Sequence, residues 1–229
     1  MKEGHLMRFI AMIPARLGSQ RLAKKNLAEI DGSPLVAHAV RKCIQSGCFE
    51  SVWLNSESGV FEPIAEREGG KFHQRPAHLG GNDATSEQFV AEFLEAHDCD
   101  FVVQVHSIAP LLTTADISNF VKFAENSGFE TILSVVEENL ECVYKGDPIN
   151  FNFSEKTNSQ DLESVQRIVW SISAWKRDVY LKAFHSGSCA TYSGKIGFFP
   201  VNRMAGHVIK VQDDLEIAKA LFPLINRPK

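Results

Sequence analysis

Residues 13–26 read IPARLGSQRLAKKN, and no other stretch of this chain concentrates so much positive charge among small residues. Ala15, Gly18 and Ser19 are small enough to let backbone N–H groups approach phosphate oxygens, while Arg16 and Lys25 supply mobile positive charge. Arg21 and Lys24 add to the same basic cluster. That combination suits a nucleoside triphosphate and a departing pyrophosphate, with Arg16 and Lys25 as the catalytic candidates. The order GxxxxGK[ST] is absent, so the stretch is not a Walker loop. Arg75 follows a short expected strand and has two readings: a partner for an acid such as Glu57, or a nucleotide contact. Gln104 and His106 share one strand face by alternation, at a strand end where a ligand would be met. Asp213 and Asp214 stand where acidic side chains cap a helix N-terminus.

The elements that must position these residues alternate. Arg8–Ile13 is a short apolar strand leading straight into the basic loop, so the loop opens at a strand's carboxyl end, where open α/β sheets place ligands. Pro34–Ser46 puts Leu35, Val36, Ala39, Val40 and Cys43 on one helix face, with Ser33 as its cap. Strands are expected at Ser51–Asn55, Lys71–Gln74, Phe101–His106 and Thr131–Val136, separated by helices near Phe61–Glu68, Ser86–Ala96 and Ala115–Asn126. From about 138 to 195 the rhythm breaks, and the segment reads as a β-rich excursion carrying Trp170 and Trp175. A strand at Lys195–Pro200, another around Ala205–Val211 and a last helix with Leu215, Ile217, Ala218 and Leu221 complete the chain. The pattern implies a single α/β domain over 1–229, with a mostly parallel sheet covered on both faces.

Composition narrows the partners. With 229 residues, 44% hydrophobic and 23% charged, the chain has the ordinary globular mix and room for one generous domain. The formal charge of −4 would repel a long polyanion, so no nucleic-acid partner is expected. Cys43, Cys48, Cys99, Cys142 and Cys189 form no CxxC pair and leave an odd count, which fits a reducing cytoplasm better than a disulfide framework or a zinc site. Neither an export signal in Met1–Arg8 nor a membrane-spanning run is apparent.

The ordered residues Ile13-Pro14-Ala15-Arg16, Gly18-Ser19 and Lys25-Asn26 resemble the opening signature of the cytidylyltransferases that activate sugar acids. These are the acylneuraminate cytidylyltransferases and the 3-deoxy-manno-octulosonate cytidylyltransferases. Asp31-Gly32-Ser33-Pro34-Leu35 is similar to that family's Gly-x-Pro-Leu, and Gln74-Arg75-Pro76 with Leu79 and Asn82-Asp83 to its Arg-Pro-x-x-Leu-x-x-Asp loop. The resemblance covers residues 8 to about 136 and returns at Asp213–Ala218. It implies a Rossmann-like nucleotidyltransferase fold with a dimerisation excursion, hence a homodimer. It also implies transfer of CMP from CTP to an acidic 2-keto sugar, usually with Mg²⁺. Carried onto this sequence, it makes Ala15, Arg16, Leu17, Gly18, Ser19, Lys25, Asn26 and Arg75 nucleotide contacts and gives Gln104 and His106 to the acceptor.

Departures from the pattern are local. Where the family reads Gln-Pro-Thr-Ser-Pro-Leu or Gln-Gly-Asp-Glu-Pro-Leu, this chain reads His106-Ser107-Ile108-Ala109-Pro110-Leu111, which puts Ile108 in the octulosonate branch's metal-binding place. The family's later Asp-x-Asp falls on Val208 and Lys210. Val169–Trp175 stands in place of an Arg-x-Asn-Gly-(Ala)-Ile-Tyr run. The metal ligands are therefore unassigned, and three readings stay open: an active sugar-acid cytidylyltransferase, a relative that binds nucleotide with lost or altered catalysis, or a transferase of the same fold using another nucleotide or a non-sugar acceptor.

Overall fold

The computed structural model describes residues 7–19 and 21–225. Residues 1–6 of the stretch read for an export signal, and Gln20 of the basic loop, lie outside them.

The chain opens with β1 (Phe9–Pro14), whose apolar run is buried on both faces of a sheet. Alternation divides its side chains: Phe9, Ala11 and Ile13 join one core cluster, and Ile10 and Met12 the other. After the basic loop come a two-residue ladder, β2 (Glu29–Ile30) with β3 (Ser33–Pro34), and then α1 (Leu35–Ser46). Asp31 and Gly32 both have positive φ, 51° and 70°, the geometry of a tight Asp-Gly hairpin turn. That turn draws Ser33 into the ladder, so the expected Ser33 cap does not form; Pro34 holds the N-cap position without a side-chain bond.

Next follow β4 (Ser51–Ser56), α2 (Glu62–Arg67), β5 (Lys71–Gln74), α3 (Ser86–Ala96), β6 (Phe101–Val105), α4 (Thr114–Ser127) and β7 (Thr131–Glu138). Capping boxes start α3, with Thr85 and Gln88, and α4, with Thr113 and Asp116. The small ladder β8 (Val143–Tyr144) with β9 (Asp147–Pro148) precedes β10 (Val165–Lys176), α5 (Arg177–His185), β11 (Ile196–Pro200) and α6 (Gln212–Ile225).

The principal sheet has the order β11-β7-β10-β6-β1-β4-β5. β1 pairs in parallel with β4 and β6, β4 with β5, and β7 with β11, whereas β10 runs antiparallel between β6 and β7. Helices α1 and α4 pack on one face around Val36, Val40, Ile117 and Phe120. On the other, α3 and α5 contribute Val90, Phe93, Leu94 and Tyr180. The α/β, Rossmann-like reading of the sequence holds. Connections leave β1 first toward β4 and later toward β6, so the crevice above the carboxyl ends of β1 and β6 is the switch point at which such sheets receive ligands.

Two further expectations need correction. The segment 138–195 is not only β-rich. It contains α5, whose one buried residue, Tyr180, leaves no apolar stripe for a sequence reading to find. It also contains β10, whose Ser171–Trp175 lie buried in the middle of the sheet. No strand forms around Ala205–Val211 either. Ile209 is buried against Leu111, Leu215 and Phe222 from a turn-rich loop, its N–H donating to the Ile108 carbonyl. The amides of Lys210 and Val211 donate to Asp214 Oδ2 at 2.7 and 3.0 Å, which closes the start of α6 as the acidic pair suggested.

Candidate nucleotide site

The basic loop leaves β1 at Ala15, whose N–H donates to the Asn55 carbonyl at the end of β4. Asn26, 6% exposed, staples the two ends of the loop: its Nδ2 donates to the Arg16 carbonyl at 2.9 Å, and its Oδ1 accepts from Ser107 Oγ at 2.8 Å. A single buried amide thus ties the loop after β1 to the loop after β6. Leu17 N–H donates to Glu57 Oε1 at 2.9 Å. The other Glu57 oxygen accepts from Arg75 Nη2 at 3.0 Å, and Arg75 also donates to Asn55 Oδ1 and the Ala15 carbonyl, both at 3.0 Å. Only 3% exposed, Arg75 lies over the Phe89 ring, its guanidinium carbon 4.8 Å from the centroid. The pairing with Glu57 is therefore present, and Arg75 borders the ligand space as well.

That space is a cavity of about 290 Å³. Ala15, Arg16, Ser19, Lys25, Asn26, Arg75 and His106 line it, together with Arg21, Leu22, Phe89, Ser107 and Ile108. Among the sequence-derived nucleotide contacts, Leu17 and Gly18 do not line it; the Leu17 side chain packs against the core and its amide is held by Glu57. Arg21 was legible only as part of a charge cluster. Phe89 and Ser107 carried no signal, because each depends on contacts with residues distant in sequence.

The charged side chains that line this cavity are all cationic. Lys25 Nζ donates to the Ile209 carbonyl at 3.0 Å, and Arg16 Nη1 to Asn82 Oδ1 at 3.2 Å. Burial pushes the Lys25 ammonium pKa down, with Arg21 and Arg16 adding to the shift. Burial, with Lys25 nearby, holds His106 down to about 4, so its imidazole is neutral at pH 7.

A second cavity of about 230 Å³ lies beside the first, lined by Ser86, Val90, Gln104, His106, Trp170, Trp175, Tyr180 and Thr191. His106 borders both. Gln104 Nε2 and His106 Nε2 are buried without a hydrogen-bond partner. Polar atoms left so are uncommon in folded chains and mark places where a ligand atom would complete the bonding. None of the residues lining this second space is charged at pH 7. Trp175 is 2% exposed and belongs to the core, so the aromatic pair of the sequence serves the fold as well as the cavity.

The family model for cytidylyltransferases matches residues 10–221, from β1 into α6. The chain belongs to the cytidylyltransferase family. N-acylneuraminate cytidylyltransferase A of Danio rerio is 26% identical over 160 residues, 66% of this chain and 37% of the relative. The N-acylneuraminate cytidylyltransferase of Escherichia coli is 30% identical over 58% of this chain and 32% of its own length. The 3-deoxy-manno-octulosonate cytidylyltransferase of Christiangramia forsetii is 28% identical over 58% of this chain and 52% of its own. These alignments span from about a third to about half of the relatives' length. In fold, the chain is similar to CMP:2-keto-3-deoxy-manno-octonic acid synthetase complexed with CTP, with a TM-score of 0.71 and 17% identity over 95% of this chain and 99% of the other. The 4-diphosphocytidyl-2C-methyl-D-erythritol synthase of Anaerococcus prevotii gives a TM-score of 0.69 at 11% identity, over 95% and 99%.

The Mg²⁺ that the family resemblance implies does not fit these residues. Magnesium takes oxygen ligands in octahedral geometry, usually one or two carboxylates with phosphates and waters. No carboxylate lines the first cavity, where Ile108 occupies the resemblance's metal position. Among the described residues, no group of three or more His, Cys, Asp or Glu side chains could hold a metal ion. Among the same residues no helix is long and apolar enough to cross a membrane.

Proposed function

We propose that this cytidylyltransferase transfers CMP from CTP to a hydroxyl of an acidic 2-keto sugar, sialic-acid-like or octulosonate-like, and releases pyrophosphate. The observation that carries the reading is the cation-walled cavity at the carboxyl end of β1, lined by Ala15, Arg16, Ser19, Lys25 and Asn26 of the signature loop. The acceptor oxygen bonds to the α-phosphorus, the bond from that phosphorus toward the β-phosphate breaks, and its electron pair leaves on pyrophosphate. The hydroxyl proton passes to solvent. Such a step needs placement and charge stabilisation more than covalent help.

In that step Arg16 and Lys25 neutralise the phosphates. Asn26 fixes the loop's shape, and Arg75 braces its base while bordering the nucleotide. Gln104 and His106 turn their unpartnered nitrogens toward the acceptor, and His106 borders both substrates. The second cavity's uncharged, aromatic lining suits the hydroxyl and C–H surfaces of a sugar ring. No step is routed through a metal ion.

A homodimer in the cytoplasm completes the proposal. Val143, Tyr144, Ile149 and Phe153 of the excursion are 55 to 73% exposed, an apolar surface that a second copy would cover.

Pyrophosphate release measured with CTP and either an N-acylneuraminate or 3-deoxy-manno-octulosonate tests the activity. Release that depends on both substrates is expected; none above the acceptor-free rate with these or other sugar acids would sink it. A second reading, CTP binding without turnover, draws on the absence of carboxylates at Ile108, Val208 and Lys210. Turnover that appears only in an Ile108→Asp, Val208→Asp, Lys210→Asp variant would favour it.

A further inference from the structure

We propose that the first cavity holds its triphosphate with the fixed side-chain cations Arg16, Arg21 and Lys25 in the place of a divalent metal ion. The inference rests on the CTP reading above and adds how the phosphates are neutralised.

Besides Arg75, which Glu57 pairs, three cationic side chains line this space and no carboxylate does. Among the described residues none of the three has an acidic partner within ion-pair distance. Their held contacts are neutral: the Ile209 carbonyl for Lys25, and the Asn82 side chain and Gly81 carbonyl for Arg16. Burial disfavours the Lys25 ammonium most, Arg21 and Arg16 add to this by repulsion, and Asp214 offsets them only in part. An entering anion relieves that repulsion.

Two carboxylates close to the cavity, Glu57 and Asp214, are already used. Glu57 accepts from the Leu17 amide and Arg75, and turning it into the cavity would strand a guanidinium that is 3% exposed. Asp214 accepts from the Lys210 and Val211 amides at the start of α6, and turning it would uncap that helix. Lys210 adds a further positive charge near Lys25. Ile108 lines the cavity and packs against the apolar cluster of Leu111 and Leu215, so the lining at that place is hydrocarbon.

Fixed cations do not dissociate, so CTP should bind without added metal. Mg²⁺, by cancelling phosphate charge in solution, should not strengthen binding. The test is calorimetric titration of the whole chain with CTP, once in EDTA and once with millimolar Mg²⁺. The dissociation constant in EDTA is expected within about threefold of the Mg²⁺ value; a loss of roughly tenfold or more in EDTA would overturn the inference while leaving the CTP reading in place. Binding in neither condition would contradict both. Arg21→Ala provides a second arm, because Arg21 is exposed and its removal leaves the core intact. This variant should weaken CTP in EDTA about tenfold, the scale of one lost charge-assisted hydrogen bond, with an unchanged or raised melting temperature. Unaltered affinity would count against the proposal.

Discussion

Glu57 does more for this site than its place outside the cavity suggests. Its carboxylate joins the Leu17 amide to Arg75, and Arg75 in turn holds Asn55 and the Ala15 carbonyl. Removing the acid leaves a buried guanidinium without its counter-charge, so Glu57→Ala should destabilise the chain by about 3 kcal/mol, measurable as a shift in the urea midpoint. A shift below about 1 kcal/mol, the range of an exposed pair, would show that Arg75 needs no acid. Two histidines contribute to the acid response. Burial beside Lys25 lowers His106 to about 4, and burial with His73 and Lys71 nearby lowers His97 to about 4. In the unfolded chain each titrates near ~6.5, so between about 6.5 and 4 the unfolded state binds more protons. Stability from these groups is complete above that window and falls as pH drops through it. His97→Asn should flatten this fall in urea unfolding measured across the window, and an unchanged slope would contradict the assignment. At this scale charge pointed to Arg16 and Lys25 and the family signature to Asn26, and all three line the cavity. The sequence could not show that the Leu17 amide is taken by Glu57, since that bond joins residues distant in the chain.

Elements were legible where one physical pattern ruled them. The spans of β5 and α3 agree with their sequence readings, because Gly69-Gly70 and the Thr85 cap mark their limits. The Ala205–Val211 stretch misled because apolar residues spaced along a turn-rich loop mimic a strand; its amides go to Ile108 and Asp214 rather than to a ladder. The helix α5 stayed hidden because it buries only Tyr180. Two substitutions test the elements that support the site. Thr113→Ala removes the hydroxyl side of the α4 capping box, leaving the backbone donation to Asp116, and should cost about 1 kcal/mol in thermal or urea unfolding. Gly197 lies in β11 against the Phe129 ring, and a Cβ there would stand 2.3 Å from the nearest ring atom. Gly197→Ala should therefore cost about 1–3 kcal/mol through overpacking, whereas a neutral result would mean that Phe129 swings aside freely.

At the scale of the molecule, topology makes the site. The parallel neighbours of β1 lie on both its sides, and the loops after β1 and β6 meet across the crevice through the Asn26–Ser107 bond. Removing that bond with Ser107→Ala should weaken CTP binding several-fold without unfolding the sheet, because the loop's shape rather than the core depends on it. The mostly parallel sheet could be read from alternating periods, but the antiparallel insertion of β10 between β6 and β7 could not, since it pairs segments separated by the excursion. This crevice is proposed to be a CTP site. Its most direct test is titration of the purified chain with CTP, UTP, GTP and ATP, repeated with Arg16→Ala. Selective binding of CTP that weakens at least about tenfold in Arg16→Ala is the expected result. Equal binding of all four, or binding of CTP indifferent to Arg16, would contradict it.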